Sequence, residues 1–247
     1  MERKVYEWDL AGHLVRVSFL DPRARYFLRP LPKPVEGESC QLLASSAFLE
    51  EIRPMFPPGT SDAFVEYRGL IGLSSQLLLR YRCCVFHAAA FSWQGRAWLL
   101  TAPAGTGKTT QILNWQRLFP GEIGIISGDM PILEAREDGS VWVHPSSWNG
   151  KENLYGAPAA PLGGLILLRQ GQEDRMLPLP PRDAVVPLLR MFFAPLETEE
   201  EIRQLASLLE SVLLAAPCRK FVNLGGEAST RLLRDTLSGF LDKEDVT

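Results

Sequence analysis

The sequence predicts an α/β fold: a P-loop mixed sheet flanked by helices, preceded by a small N-terminal α+β unit. Three observations predict it. An apolar strand at Arg96 to Thr101 runs into the glycine-rich loop Ala102-Pro103-Ala104-Gly105-Thr106-Gly107-Lys108-Thr109-Thr110, and a helical pattern opens at Lys108. Short apolar strands alternate with helical stretches through the rest of the chain. Ahead of them stand a hairpin signal and one long helix.

The elements follow in order. Tyr6 to Leu10 and His13 to Phe19 alternate as strands about an Ala11-Gly12 turn. Pro-rich pieces at Arg29 to Pro34 and Pro54 to Pro58 break the chain. From Phe64 to Arg82, Leu70, Leu73, Leu77, Leu78 and Tyr81 recur at helical spacing and close a first unit, residues 1–82. The second unit, residues 83–247, holds the strand before the loop and then a helix, Lys108 to Phe119. That helix has Ile112, Trp115 and Phe119 on one face and Pro120-Gly121 as its stop. Glu122 to Ser127 is a strand ending on Asp129. Pro131 to Glu134 and Val141 to His144 read as a hairpin around Asp138-Gly139, and Gly163 to Arg169 reads as a buried strand. Thr198 and Glu201 form a capping box, and Ile202, Leu205, Leu209, Val212 and Leu213 form the buried stripe of the helix they open. A strand at Lys220 to Leu224 and a helix from Ala228 to Phe240 complete the chain.

With 46% hydrophobic and 22% charged residues in 247, the chain can bury a full core. A net charge of −3 gives no general reason to bind nucleic acid or an anionic membrane. The amino terminus lacks a signal-peptide pattern and the longest apolar runs are only strand-length, so a cytoplasmic location without membrane attachment is expected. Cys40, Cys83, Cys84 and Cys218 make no CxxC pair and no zinc spacing. Vicinal Cys83 and Cys84 read as buried helix residues rather than a redox pair.

The loop carries the chemistry. Glycines let backbone N–H groups curl around phosphates, the helix amino terminus adds a positive dipole, and a lysine neutralises charge between the β- and γ-phosphates. Ala104, Gly105, Thr106, Gly107, Lys108, Thr109 and Thr110 are the nucleotide-binding candidates, with Thr109 placed to ligate Mg²⁺. Ala102 stands where the usual pattern begins with Gly, a departure that removes no group touching phosphate. Asp129, closing the strand after the loop's helix, stands where a carboxylate can approach Mg²⁺ and the γ-phosphate. ATP and Mg²⁺ are the implied donor and cofactor. Lys151 and Arg169 are candidates for phosphate or substrate contact and equally readable as surface charges; His13 and His144 have no such support.

The set Phe86-His87-Ala88-Ala89-Ala90, the loop and Ser127-Gly128-Asp129 resembles the HPr serine kinase-like family, which shares a P-loop fold with phosphoenolpyruvate carboxykinase. The resemblance runs from about Tyr81 to the end of the chain. Trp148-Asn149-Gly150-Lys151, Ala159-Ala160-Pro161-Leu162 and the Pro217 to Leu224 stretch look like the subgroup found in peptide-modification gene clusters. The resemblance implies a kinase domain over residues 83–247, in which Lys108 binds the phosphates, Thr109 and Asp129 hold the metal, Asp129 accepts the acceptor's proton, and His87 lies beside the phosphates. On residue type alone His87 fits a core histidine; the resemblance reverses that reading. The family ends its second strand with two aspartates, whereas here Gly128 precedes Asp129. The implied acceptor is a serine-type hydroxyl of a protein or peptide, with free serine or another small alcohol as the alternative. A nucleotide-binding regulatory module or slow ATPase is a further alternative. The family also tends to assemble, which leaves a homo-oligomer open.

Overall fold

The computed structural model describes residues 5–27, 40–148 and 154–244. The Pro-rich stretch Arg29 to Pro34, the Asn149-Gly150-Lys151 element and the Lys151 candidate lie outside these described residues. Strands β1 (Val5–Leu10) and β2 (His13–Ser18) form the expected antiparallel hairpin, and β3 (Cys40–Leu43) adds in parallel to β2. Ala11 and Gly12 turn the hairpin with positive φ. Helix α1 (Ser46–Ile52), capped by the Ser45 side chain, and a single 3-10 turn over Arg53–Met55 precede α2 (Asp62–Leu79). Helix α2 begins where the Ser61 hydroxyl accepts the Phe64 amide, a standard N-cap.

Among the described residues a nine-stranded mixed sheet forms the rest of the core. Its strands are β4 (Cys83–Val85), β5 (Ala89–Trp93), β6 (Arg96–Thr101), β7 (Gly124–Ser127), β8 (Ile132–Ala135), β9 (Val141–His144), β10 (Ala160–Gln170), β11 (Arg175–Pro178) and β12 (Cys218–Asn223). The order β4-β8-β9-β10-β6-β5-β7 is branched at β10, which also carries β12 and, beyond it, β11. Strand β10 is antiparallel to β9 at its start and parallel to β6 and β12 further along. The β5–β6 hairpin turns on Gln94 and Gly95, both at positive φ, the geometry that suits the right-handed twist of paired strands.

Helices α3 (Lys108–Leu118), α4 (Pro181–Leu189), α5 (Glu199–Ala215) and α6 (Glu227–Glu244) cover the sheet. On one side Leu205, Leu208, Leu209 and Val212 of α5 pack on Leu99, Leu133, Val143 and Leu165. Another cluster joins Ile112 and Trp115 of α3 to Leu233 and Leu237 of α6 across Phe91, Leu100, Ile166 and Phe221. A third joins the amino-terminal residues Trp8, Leu10, Val15, Leu70 and Leu78 to Cys83, Val85, Met130, Ile132 and Trp148. The hairpin and α2 therefore bury their apolar faces against β4 and β8.

Two sequence expectations are corrected. Cys83 and Cys84 lie in β4, not in a helix, since α2 ends at Leu79 and the chain turns at Arg82 with positive φ to pair with β8. Alternation then points Cys83 and Val85 toward α2, and Cys84 and Phe86 toward α5. Burial pushes the Cys84 thiol up to about 12, pushes Cys218 up to about 11 and raises Cys83 as well, so all three are inert thiols. Ile202 is exposed, one turn too close to the capped end of α5 to reach the sheet, and Leu208 takes a place in the buried stripe.

The docked hairpin carries a titratable cluster. The Glu134 carboxylate accepts from His144 Nε2 at 2.8 Å and from Arg136, while His13 stacks on Tyr81 with ring centroids 3.9 Å apart. Burial holds both His13 and His144 below the ordinary imidazole value, against the pull of Glu134 and Asp9; the neighbouring histidine on His13 and Arg136 on His144 add to the lowering. Burial pushes Glu134 up, but its bonds from His144 and Arg136 outweigh this and leave it lowered. Depressed imidazoles mean that the unfolded chain binds more protons as pH falls through the ordinary histidine range, so stability declines there. Glu134 acts in the same direction at lower pH. The thermal midpoint is thus expected to fall between about pH 7.5 and pH 5.5, and the double variant His13→Gln/His144→Gln is expected to flatten that slope. Equal slopes in the two proteins, measured by circular dichroism melts, would rule the histidines out as the source.

Candidate functional site

Strands β6 and β7 are both antiparallel to β5, so they run in the same direction, and β10 and β12 share it. Their carboxyl ends gather along one edge, where an open α/β sheet characteristically leaves a crevice for a ligand. On that edge β6 ends in the loop Ala102–Thr110, β7 ends at Ser127-Gly128-Asp129, and the stretch between β4 and β5 supplies His87.

These three segments meet at one level. Ala88 N donates to Asp129 O at 3.0 Å, and Thr101 Oγ1 donates to His87 O at 2.8 Å. The backbone of Asp129 therefore lies one strand from His87 and two strands, about 10 Å, from the root of the loop. His87 Nε2 stands 3.3 Å from Asp129 Oδ1, with both side chains partly exposed. The His87 amide is held by Met191 O at 2.7 Å, which fixes the histidine backbone from the other side.

The loop is shaped by its glycines. Gly105 has φ +76° and Gly107 has φ +105°, conformations that a side chain strongly disfavours, and Gly107 caps α3. Among the described residues, the amides of Ala104, Gly105 and Gly107 donate to no acceptor, while Thr106 closes a turn on Pro103. Free amides at the start of an eleven-residue helix suit an anion in general. Lys108 is buried and folds back so that its Nζ donates to Ala102 O at 2.7 Å and Pro103 O at 3.4 Å. That brings the ammonium to the strand level of His87. Thr106 Oγ1 donates to Pro103 O at 2.8 Å, Thr109 is half-buried in the first turn of α3, and Thr110 is exposed.

A buried amide network holds α3 in place. Gln111 donates to Asn223 Oδ1 at 3.3 Å and accepts from Thr230 Oγ1 at 2.8 Å, while Asn223 Nδ2 donates to Arg169 O at 3.1 Å. At the rim, Gln170 Nε2 donates to Gly105 O at 3.3 Å. Arg169 itself is exposed. None of these polar supports carries a sequence motif.

Sequence reading also missed the contribution of α2. Burial pushes the Tyr67 hydroxyl up to about 12, with the charge of Asp129 adding to it, and burial lowers Arg68 although Tyr67 and Asp129 pull the other way. The Asp129 carboxylate thus lies close enough to α2 for its charge to act on both residues. The only local signal is an arginine among mostly buried neighbours within Asp62–Leu79.

The single aspartate at the end of β7 has a steric cause. Gly128 N donates to Leu154 O at 2.8 Å, and a Cβ on Gly128 would stand 2.9 Å from Leu154 Cβ and 3.2 Å from its carbonyl oxygen. Leu154 to Ala157 runs along the outer edge of β7, so no side chain fits at position 128 without moving it. Among the described residues no cluster of three His, Cys, Asp or Glu side chains could hold a metal ion. No helix there is long and apolar enough to cross a membrane.

No protein-family model matches the chain, and no curated protein matches it. Among solved structures the chain is similar to the HPr(Ser) kinase/phosphatase from Coxiella burnetii, at 16% sequence identity over 66% of this chain and 97% of that one, with a TM-score of 0.36. The overlap is loose.

Replacing Gly128 by Asp is expected to destabilise the protein by about 1–3 kcal/mol, because Leu154 must shift. Urea denaturation measures this; an unchanged midpoint would mean that the Leu154 edge gives way freely.

Proposed function

We propose that the protein is an ATP-dependent kinase whose donor site is the loop Ala102–Thr110 and whose acceptor is a serine-type hydroxyl of a protein or peptide. The observation that carries the reading is the meeting of Lys108, His87 and Asp129 at the level of three adjacent strand ends, beside loop amides at Ala104, Gly105 and Gly107 that have no acceptor among the described residues. In this reading the amides of Ala104 to Gly107 bind the phosphate oxygens, and Lys108 exchanges its bonds to Ala102 and Pro103 for the β- and γ-phosphates.

Mg²⁺ suits this donor set, since it commonly takes one or two carboxylates and completes its shell with phosphate oxygens and water. Asp129 and Thr109 would hold it, and when bound it neutralises charge on the β- and γ-phosphates. Asp129 would also orient the acceptor hydroxyl and accept its proton. As the new P–O bond forms, the bond from the γ-phosphorus to the bridging oxygen breaks and its electron pair leaves with ADP. His87, in contact with Asp129, would fix the carboxylate's direction toward the acceptor.

Replacement of Lys108 by Ala is expected to weaken ATP binding. Asp129→Asn should retain binding and lose phosphotransfer by about 10²–10⁴-fold. Incubation with γ-labelled ATP, first alone and then with serine-containing peptides or free serine, reads the outcome. Full transfer by Asp129→Asn would remove the base assignment, and label on free serine alone would move the acceptor to a small alcohol. A second reading, a regulatory module or slow ATPase, is favoured by Gly128, which leaves Asp129 without an adjacent carboxylate; release of free phosphate with no labelled acceptor would select it.

A further inference from the structure

The proposed kinase site has a cation that the P-loop and strand-end motifs do not supply. Arg68 lies on α2, one residue after Tyr67, and its guanidinium sits over the Phe193 ring with 4.3 Å to the centroid. Phe193 is fixed at the site: its amide donates to Val85 O at 3.0 Å, Phe86 and Phe192 form a bridge, and Met191 O accepts the His87 amide. The strand that presents His87 and the segment that supports Arg68 are therefore paired residue by residue. Among the described residues the Arg68 guanidinium donates no hydrogen bond and makes no ion pair.

A guanidinium has five N–H donors that cannot be silenced by deprotonation, and leaving them unmatched in a half-buried position is costly. The charge of Asp129 reaches Arg68 without pairing to it. An oxyanion arriving at Asp129 would complete the arrangement. We propose that Arg68 is a catalytic cation supplied by the amino-terminal unit, which binds the equatorial oxygens of the phosphoryl group as it passes from ADP to the acceptor held by Asp129.

This rests on the kinase reading. It assigns Arg68 to the moving phosphoryl group, opposite Lys108, so that charge on that group meets a cation on each side. Bonding to the group in transit, rather than to the bound diphosphate, is what would raise the rate. Phe193 holds the guanidinium plane without using any of its N–H donors.

The test separates transition-state binding from ground-state binding. Mg-ADP is titrated into the full chain with and without aluminium fluoride, which mimics the phosphoryl group in flight, for the unaltered protein and for Arg68→Met and Arg68→Lys. Methionine keeps an apolar stem over Phe193 and removes the charge. The unaltered protein is expected to bind the fluoride complex more tightly than Mg-ADP alone. Arg68→Met should lower that preference about a hundredfold while Mg-ADP affinity changes less than about threefold, and Arg68→Lys should recover part of it. If Arg68→Met keeps the preference, the assignment of Arg68 is overturned and the nucleotide site stands. If Arg68→Met loses Mg-ADP binding as well, Arg68 is a structural residue and the proposal fails. If the unaltered protein binds no nucleotide, the kinase reading falls, and the role of Arg68 with it.

Discussion

The loop that ends β6 stands in the middle of the sheet because β10 can lie against β6, and that contact depends on one large side chain over two glycines. The Trp98 ring is fully buried, and a Cβ on Gly163 or Gly164 would stand 3.2 Å or 2.8 Å from it. Pairing of β10 with β6 shifts register between Leu162 and Gly164, the kind of irregularity that bends a strand. Past the bend β10 runs parallel to β6 and carries β12 on its far side. Without the small pair at 163–164 the indole could not lie against the strand. β10 could not then leave β9 and align its carboxyl end with that of β6. Gln170 at the loop and Asn223 at α3 owe their positions to the same alignment.

The parts of the molecule legible in the sequence are those whose causes are local. The loop, the helix after it, the Thr198–Glu201 capping box and the first hairpin are written in spacing and turn chemistry, and their bounds match the observed elements to within a few residues. Cys83-Cys84 was not legible as a strand because a short apolar run carries no period of its own; pairing with β8 decides it. Helix α4 carries two prolines, residues that commonly break helices, yet Pro181 sits in the first turn, where its missing N–H costs nothing. Ile202 has helical spacing with the stripe but lies exposed in the first turn of α5, short of the sheet.

The candidate site divides in the same way. Lys108, Thr109, Asp129 and His87 could be named from motifs, yet their meeting follows from strand order, since β7 and β6 are neighbours only through β5, which lies between them in the sheet. The difference between Gly128 and an aspartate is visible in the sequence, but its cause is not: Leu154, twenty-six positions away, occupies the space. The edge of β7 is covered by this segment, which removes an unpaired strand edge at the same time as it fixes glycine at 128.

Arg68 shows why a motif-centred reading undercounts a site. Its distance in sequence from His87 and Asp129 places it in a different unit, and its neighbours in α2 are mostly buried core residues. The two stretches share a core: Tyr67 and Leu70 pack in one cluster with Val85 and Met130, and the same helix sets Arg68 over Phe193. Glu66, on the same helix turn, is fully buried and accepts the amides of Leu20 and Asp21 at 2.5 Å and 2.8 Å, which ties α2 to the chain leaving the first hairpin. A helix held at Glu66 on one side and at the β4 face on the other has little freedom to rotate. The amino-terminal unit is then rigid enough to position a charge, which makes it a candidate component of the proposed phosphoryl-transfer site as well as a cover for the sheet.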